Sequence, residues 1–286
     1  MKRLICLTGI FVFLFVSTNI LAQGDFISAT DASPLIKSKK ATVVSARSAS
    51  DYSKSHITNA INIQHKDLYK EGSVEGILKS PEELAVYFGE KGISSDKPII
   101  IYDDGKNKYA GRLYWIFKYL GVEDVKMLHK DMGAWKKARI MITKMPSKTQ
   151  KATFTANPQE DIIATTDYVK GHLKDAGVII VDVRTPAEYA GTSDKPKSKG
   201  HISGAVNLNF ETLLNADGSV KPKADLEKLT SAAGLNPDKE IVLYCATSVR
   251  AGVVYNILTT VLGYDDVKVY DGAYNEWVND PSNPLN

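Results

Sequence analysis

Cys245 stands between an apolar run and an arginine, in Ile241-Val242-Leu243-Tyr244-Cys245-Ala246-Thr247-Ser248-Val249-Arg250. The run before it, rich in β-branched residues, reads as a buried strand. From about Ala251 to Leu262 the apolar spacing is that of a helix. A thiol held at such a strand-to-helix turn meets backbone N–H groups and the positive end of a helix dipole. Both favour the thiolate, the nucleophilic form of cysteine, and Arg250 adds a full positive charge. The competing reading is an inert cysteine that fills a core. A polar turn ending in arginine is not what such a cysteine needs.

The other cysteine, Cys6, lies in a different kind of segment. Lys2 and Arg3 precede an apolar run from Leu4 to Val16, and Ser17 to Ala22 follow. That is the pattern of a secretory signal peptide over residues 1–22, cleaved after Ala22. A retained membrane anchor is the alternative, but the run is short for a span of about 20 residues. Cleavage removes Cys6 and leaves Cys245 as a lone thiol, unable to form an internal disulfide. In the oxidising periplasmic compartment that the signal implies, it is a candidate reactive group. Losing Lys2 and Arg3 also leaves 34 basic against 33 acidic residues. Near-neutrality and the lack of a basic run argue against nucleic-acid binding. No stable membrane association is expected after cleavage. His65, His129 and His172 show no metal-ligand spacing, so no metal is expected.

The 286 residues suffice for two domains, and the chain repeats itself once. Lys97 to Asp103 lies 142 residues before Lys239 to Cys245, and Tyr119-Leu120-Gly121-Val122 lies 142 before Val261-Leu262-Gly263-Tyr264, as does Trp135 before Trp277. His56-Ile57-Thr58-Asn59-Ala60 matches His201-Ile202-Ser203-Gly204-Ala205, and Val43 to Arg47 matches Ile180 to Arg184. A period this long means two copies of one domain rather than a solenoid. The domains are placed at 24–145 and 161–286, joined by a polar, proline-containing linker at 146–160. Short apolar strands alternate with helical stretches such as Pro81 to Lys91 and Ala224 to Ala233. The expected class is therefore α/β, each domain a mainly parallel sheet flanked by helices.

The copies differ at the chemistry. Asp103 stands where Cys245 stands, in a loop one residue longer. The first copy is expected to be inactive, with Asp103 in a solvated loop beside Asp104, Lys106 and Lys108. His56 and His201 recur in both copies, which favours a structural role, and Trp135 and Trp277 read as core.

The mature chain resembles the tandem-domain rhodaneses, the thiosulfate / 3-mercaptopyruvate sulfurtransferase family. The residues that carry the resemblance are Val181-Asp182-Val183-Arg184 with Glu188-Tyr189, Gly200-His201-Ile202-Ser203-Gly204-Ala205, the Cys245 loop, and Tyr270-Asp271-Gly272 through Trp277. The resemblance implies two tandem rhodanese-like domains and a two-step transfer. A small anionic sulfur donor gives its outer sulfur to Cys245, and cyanide or a thiol acceptor takes it from the persulfide. No cofactor is implied. The amides of Ala246, Thr247, Ser248, Val249 and Arg250 are expected to cradle the outer sulfur. Arg184 is expected to bind the anionic end of the donor together with Arg250, although an ion pair of Arg184 with Asp182 or Glu188 is the structural alternative. Asp182 is expected to organise the loop.

Ser248 lies where many members have glycine, which matters if the position needs positive φ. The export signal leans the donor toward thiosulfate. Two rival functions remain. One is a cysteine phosphatase or arsenate reductase, whose loops put five residues between cysteine and arginine where this chain has four. The other is a non-enzymatic persulfide carrier or interaction module.

Overall fold

The computed structural model describes residues 23–72, 74–195 and 197–286, so the signal-peptide segment lies outside the described residues. The first half contains strands β1 (Phe26–Ile27), β2 (Thr42–Ser45), β3 (His56–Ile57), β4 (Ile61–Asn62), β5 (Ile99–Tyr102), β6 (Val125–Leu128) and β7 (Ile142–Thr143). Five of them form a parallel sheet in the order β1-β6-β5-β2-β4, while β3 and β7 make a short antiparallel pair. The second half contains β8 (Ile163–Ala164), β9 (Val178–Asp182), β10 (Val206–Asn207), β11 (Glu240–Tyr244) and β12 (Val267–Tyr270). They form a second parallel sheet in the order β8-β12-β11-β9-β10. This is the topology of the first sheet strand for strand. The central strands β5 and β11 are covered on both faces, which is why they read as unbroken apolar runs rather than alternating ones.

Helices cover both faces of each sheet. They are α1 (Ala29–Lys37), α2 (Ala49–Lys54), α3 (Pro81–Lys91), α4 (Lys108–Tyr119), α5 (Met132–Lys137), α6 (Thr166–His172), α7 (Pro186–Tyr189), α8 (Lys223–Ala232), α9 (Ala251–Asn256) and α10 (Ala273–Trp277). The boundaries follow from end chemistry. Ser80 and Glu83 close a capping box on α3 with Pro81 in its first turn, and Gly92 ends it in the left-handed region. Beyond α9 the helix continues as a π-helical stretch, Ile257–Leu262, ending at left-handed Gly263.

The halves dock through α4 and α9 at their glycines. A Cβ on Gly111 would collide with the Val253 backbone, and one on Gly252 with the Gly111 carbonyl and the Arg112 amide. Gly111 matches Gly252 in the repeat, and Arg112 matches Val253. Each half thus touches the other with corresponding residues, the contact pattern of an isologous dimer built into one chain. Tyr114 and its counterpart Tyr255 meet across the same seam, ring centroids 6.4 Å apart. One continuous apolar core fills the space between the sheets, with residues from both halves, and each sheet has a smaller core on its outer face. Trp135 and Trp277 are buried in these outer cores.

The segment 146–160 runs along the first half. Ala152 donates to Gly89, Asn157 to Leu120 and Gln159 to Tyr119 through backbone N–H groups. Phe154 drops between Phe88 and Phe117 into the shared core. This stretch is therefore fastened to the first half by three backbone bonds and one aromatic side chain despite its polar composition.

Candidate active site

In an open parallel sheet, loops at the carboxyl ends of the strands are where ligands bind. Cys245 is the first residue past the carboxyl end of β11, where Tyr244 pairs with Asp182 of β9. The loop to Arg250 is shaped from outside. The carbonyls of Cys245 and Ala246 accept from the amides of Tyr274 and Asn275 on α10, 3.0 and 3.1 Å away. A trans peptide carries its N–H opposite its C=O, so the amides of Ala246 and Thr247 face the inside of the loop. Among the described residues, no oxygen accepts from the N–H groups of Ala246, Thr247, Ser248, Val249 or Arg250. The loop thus has five backbone donors without an oxygen partner, two of them turned inward.

Ser248 has φ +54. The loop does need the left-handed region at this position, and a serine occupies it at a cost of about 1–2 kcal/mol. Its buried hydroxyl donates to the Tyr270 carbonyl, which offsets part of that cost.

The first half shows what such a loop does with an anion. Asp103, at the Cys245 position, is not solvated as its neighbours suggest; it is 1% exposed. Its carboxylate accepts from the amides of Gly105, Asn107, Tyr109 and Ala110 at 2.8–3.2 Å. Burial pushes the Asp103 carboxyl up, and the amides of Gly105, Ala110 and Asn107 oppose that shift. Asn107, the counterpart of Ser248, has φ +59. The degenerate loop is an anion cradle closed by its own side chain, while the Cys245 loop is the same cradle left open.

Cys245 is 1% exposed and lines a cavity of about 280 Å³. The second half supplies Thr185, Lys195, Phe210, Glu211, Thr247, Val249 and Arg250 to its wall. The first half supplies His65, Lys108 and Tyr109. Arg250 sits at the N-cap of α9 and grips Glu188 of α7 with two parallel bonds, 2.8 and 3.0 Å. Burial opposes the Glu188 charge, but Arg250, the Thr185 amide and Lys195 hold its carboxyl down at about 2. Burial likewise opposes the Arg250 charge, and the Cys245 sulfur and Glu188 raise it. His65 stacks on Tyr109 at 4.7 Å. Its own burial, with Arg112, Lys66 and Lys108 nearby and Glu75 opposing, lowers its pKa to about 4, so the ring is neutral near neutral pH.

Arg184 is not in this cavity. It is 2% exposed, with Nε shared between both Asp182 oxygens, Nη2 on Asp182 Oδ2 at 2.6 Å and Nη2 on the Gly200 carbonyl. Its guanidinium stacks on Tyr274, 3.7 Å from the ring centroid. The expectation of a donor-binding Arg184 is therefore corrected: this arginine ties β9 to the Gly200 turn and α10. Asp182 is its partner, and Asn207 bonds the carbonyls of both. His201 Nδ1 meets the Tyr189 carbonyl and its ring stacks on Tyr189 at 3.6 Å; His56 repeats this on Tyr52 at 3.7 Å. Both histidines are structural.

Each half also braces the other's loop. Gly76 of the first half lies against Thr247, and its counterpart Gly218 lies against Gly105. Fully buried Arg112 bonds the Gly76 carbonyl and Asp271 Oδ1, both at 2.8 Å, and Asp271 Oδ2 accepts from the Leu78 amide. The open cradle is therefore completed by the half that has no thiol.

A rhodanese-like domain family matches residues 28–138 and again 165–280. The chain belongs to the rhodanese family. A thiosulfate sulfurtransferase of Pseudomonas aeruginosa is 28% identical over 261 residues, 91% of this chain and 96% of that protein. A sulfur carrier protein of Thermus thermophilus is 33% identical over 240 residues, 80% of this chain and 84% of its own. A solved Escherichia coli structure of the rhodanese fold, described as a 3-mercaptopyruvate sulfotransferase, superposes with TM-score 0.78 at 25% identity, covering 87% of this chain and 98% of that one. As a two-domain rhodanese with the thiol loop in its second half, the chain is a sulfurtransferase enzyme. The sequence missed the rhodanese cavity residues His65, Lys108, Tyr109, Thr185, Lys195, Phe210 and Glu211. The only signal for the first three is the repeat itself, because corresponding faces of two like domains tend to meet.

Proposed function

We propose that this rhodanese moves a sulfane sulfur from a small anionic donor, thiosulfate or 3-mercaptopyruvate, to cyanide or a thiol through a Cys245 persulfide. The observation that carries the reading is the pair of equivalent loops, one closed around the Asp103 carboxylate and the other open at Cys245. With thiosulfate, the Cys245 thiolate attacks the outer sulfur. The new S–S bond forms as the old one breaks, and sulfite leaves with the electron pair. The persulfide's outer sulfur inherits one negative charge, which the amides of residues 246–250 receive as fixed donors. A cyanide ion or a thiolate then attacks that sulfur and returns Cys245 to the thiolate. The cavity holds a donor of this size, and its cations suit an anion.

A phosphatase is disfavoured by Arg250. In such a role the guanidinium would turn its paired N–H groups to the oxyanion, but here one bond from Nη1 and one from Nη2 go to Glu188. A second reading, a persulfide carrier that hands sulfur to a protein, is favoured by the Thermus relative. Incubation with thiosulfate followed by intact-mass measurement tests both. Gain of one sulfur atom on wild type and none on Cys245→Ser supports the persulfide; gain on the serine variant removes Cys245 as the nucleophile. Release of that sulfur as thiocyanate on adding cyanide separates the enzyme from a carrier.

Export is proposed on Lys2, Arg3, the Leu4–Val16 run and Ala22. A periplasmic extract yielding protein that begins at or near Gln23 supports it; protein confined to the cytosol with Met1 intact counts against it.

A further inference from the structure

Arg184, which the resemblance assigns to the donor's anionic end, is committed to Asp182 and does not line the cavity. The cavity cations must then be weighed one by one. Arg250 and Lys195 share the Glu188 carboxylate, at 2.8 and 3.1 Å. His65 is neutral. Lys108 lies in the cavity wall and, among the described residues, has no carboxylate partner. Its ammonium rests over the Tyr109 ring, 4.6 Å from the centroid, which fixes its stem without spending its hydrogen-bond donors. At the N-terminus of α4, Asp103 already takes the amides of Tyr109 and Ala110. What this helix presents to the cavity is the side chains of Lys108 and Tyr109, of which only Lys108 carries a charge. At the corresponding position the second half has Val249, so a lysine here is not required by the fold.

We propose that Lys108, from the half without a thiol, is the specificity-determining residue for the donor's anion. Its ammonium takes the sulfonate end of thiosulfate, or the carboxylate of 3-mercaptopyruvate, while the outer sulfur reaches Cys245. This rests on the sulfurtransferase reading of the same cavity. The thiol-bearing half then recognises the sulfur and the other half recognises the charge, which gives the degenerate domain a direct part in the reaction.

The test pairs Lys108→Met, which keeps the stem on Tyr109, with Lys108→Arg, which keeps the charge. Two readouts are taken. The first is the thiosulfate concentration for half-maximal loading of Cys245, followed by intact mass. The second is the ratio of Cys245 alkylation rates by iodoacetate, an anion, and iodoacetamide, which is neutral. Lys108→Met is expected to raise the first about fivefold and lower the ratio by a similar factor, the scale of one partly exposed charge pair. Lys108→Arg restores both. An unchanged ratio, or equal slowing with both reagents, overturns the proposal, the latter by showing a merely structural role. If wild type gains no sulfur from any donor, the sulfurtransferase reading falls. The alkylation ratio still decides whether Lys108 recruits anions.

Discussion

Replacing Glu188 by glutamine breaks the clamp that holds Arg250 at the rim of the cradle. Glu188 is 4% exposed in its side chain and receives Arg250 through both oxygens. Against an ordinary 4.5, its folded value of about 2 corresponds to roughly 3 kcal/mol of stability at neutral pH, at about 1.4 kcal/mol per unit. The sign follows from the depressed folded value. The contribution is complete above the unfolded value and is lost as pH falls through the folded one. It should fall to about 1.5 kcal/mol at pH 3 and vanish below about pH 2. Glu188→Gln is therefore expected to lose about 3 kcal/mol at pH 7, or about 6–12 °C in Tm for a chain of this size. The gap between variant and wild type should roughly halve at pH 3. Urea unfolding of both proteins at pH 7 and pH 3 measures it. An equal gap at the two pH values would mean that the carboxylate charge is not what Glu188 contributes, and no gap at all would remove the clamp from the account.

Ser248→Ala keeps the left-handed strain and loses the hydroxyl that bonds Tyr270; about 1 kcal/mol of stability should go. Ser248→Gly loses the same bond but relieves the strain, so it should lie within about 1 kcal/mol of wild type. Urea midpoints that put glycine below alanine would refute this. Asp103→Ala removes the acceptor of four buried amides, and a loss of about 3 kcal/mol is expected in the same assay. An unchanged midpoint would show that the carboxylate does not close that loop.

What the sequence disclosed was local or repeated. The strand before Cys245 and the helix after it follow from apolar spacing, and His56 with His201 revealed a shared structural role because both copies keep them. Arg184 misled for a physical reason. Its partner Asp182 is two residues away, and whether the pair turns toward the cavity or the sheet depends on Tyr274 and Gly200, far along the chain. Asp103 misled in a related way. Its neighbours Asp104 and Lys106 are exposed, so the segment reads as solvated, while the one side chain that turns inward meets amides that composition does not reveal.

His65, Lys108 and Tyr109 enter the site only because α4 and α9 meet at Gly111 and Gly252. Two side-chain-free positions let the helices approach closely enough for each half's loop to lie on the other's. In a symmetric pair this produces two equivalent cradles. Filling one with Asp103 removes one reactive centre without removing the surface that completes the other. The buried Arg112–Asp271 bond and Gly76 against Thr247 then fix the thiol loop from the far domain. A first half without a thiol still serves the site, because a free second half would lack one wall of its cavity and the brace on its loop. The Cys245 cavity is thus a property of the docked pair, although only one half carries a thiol.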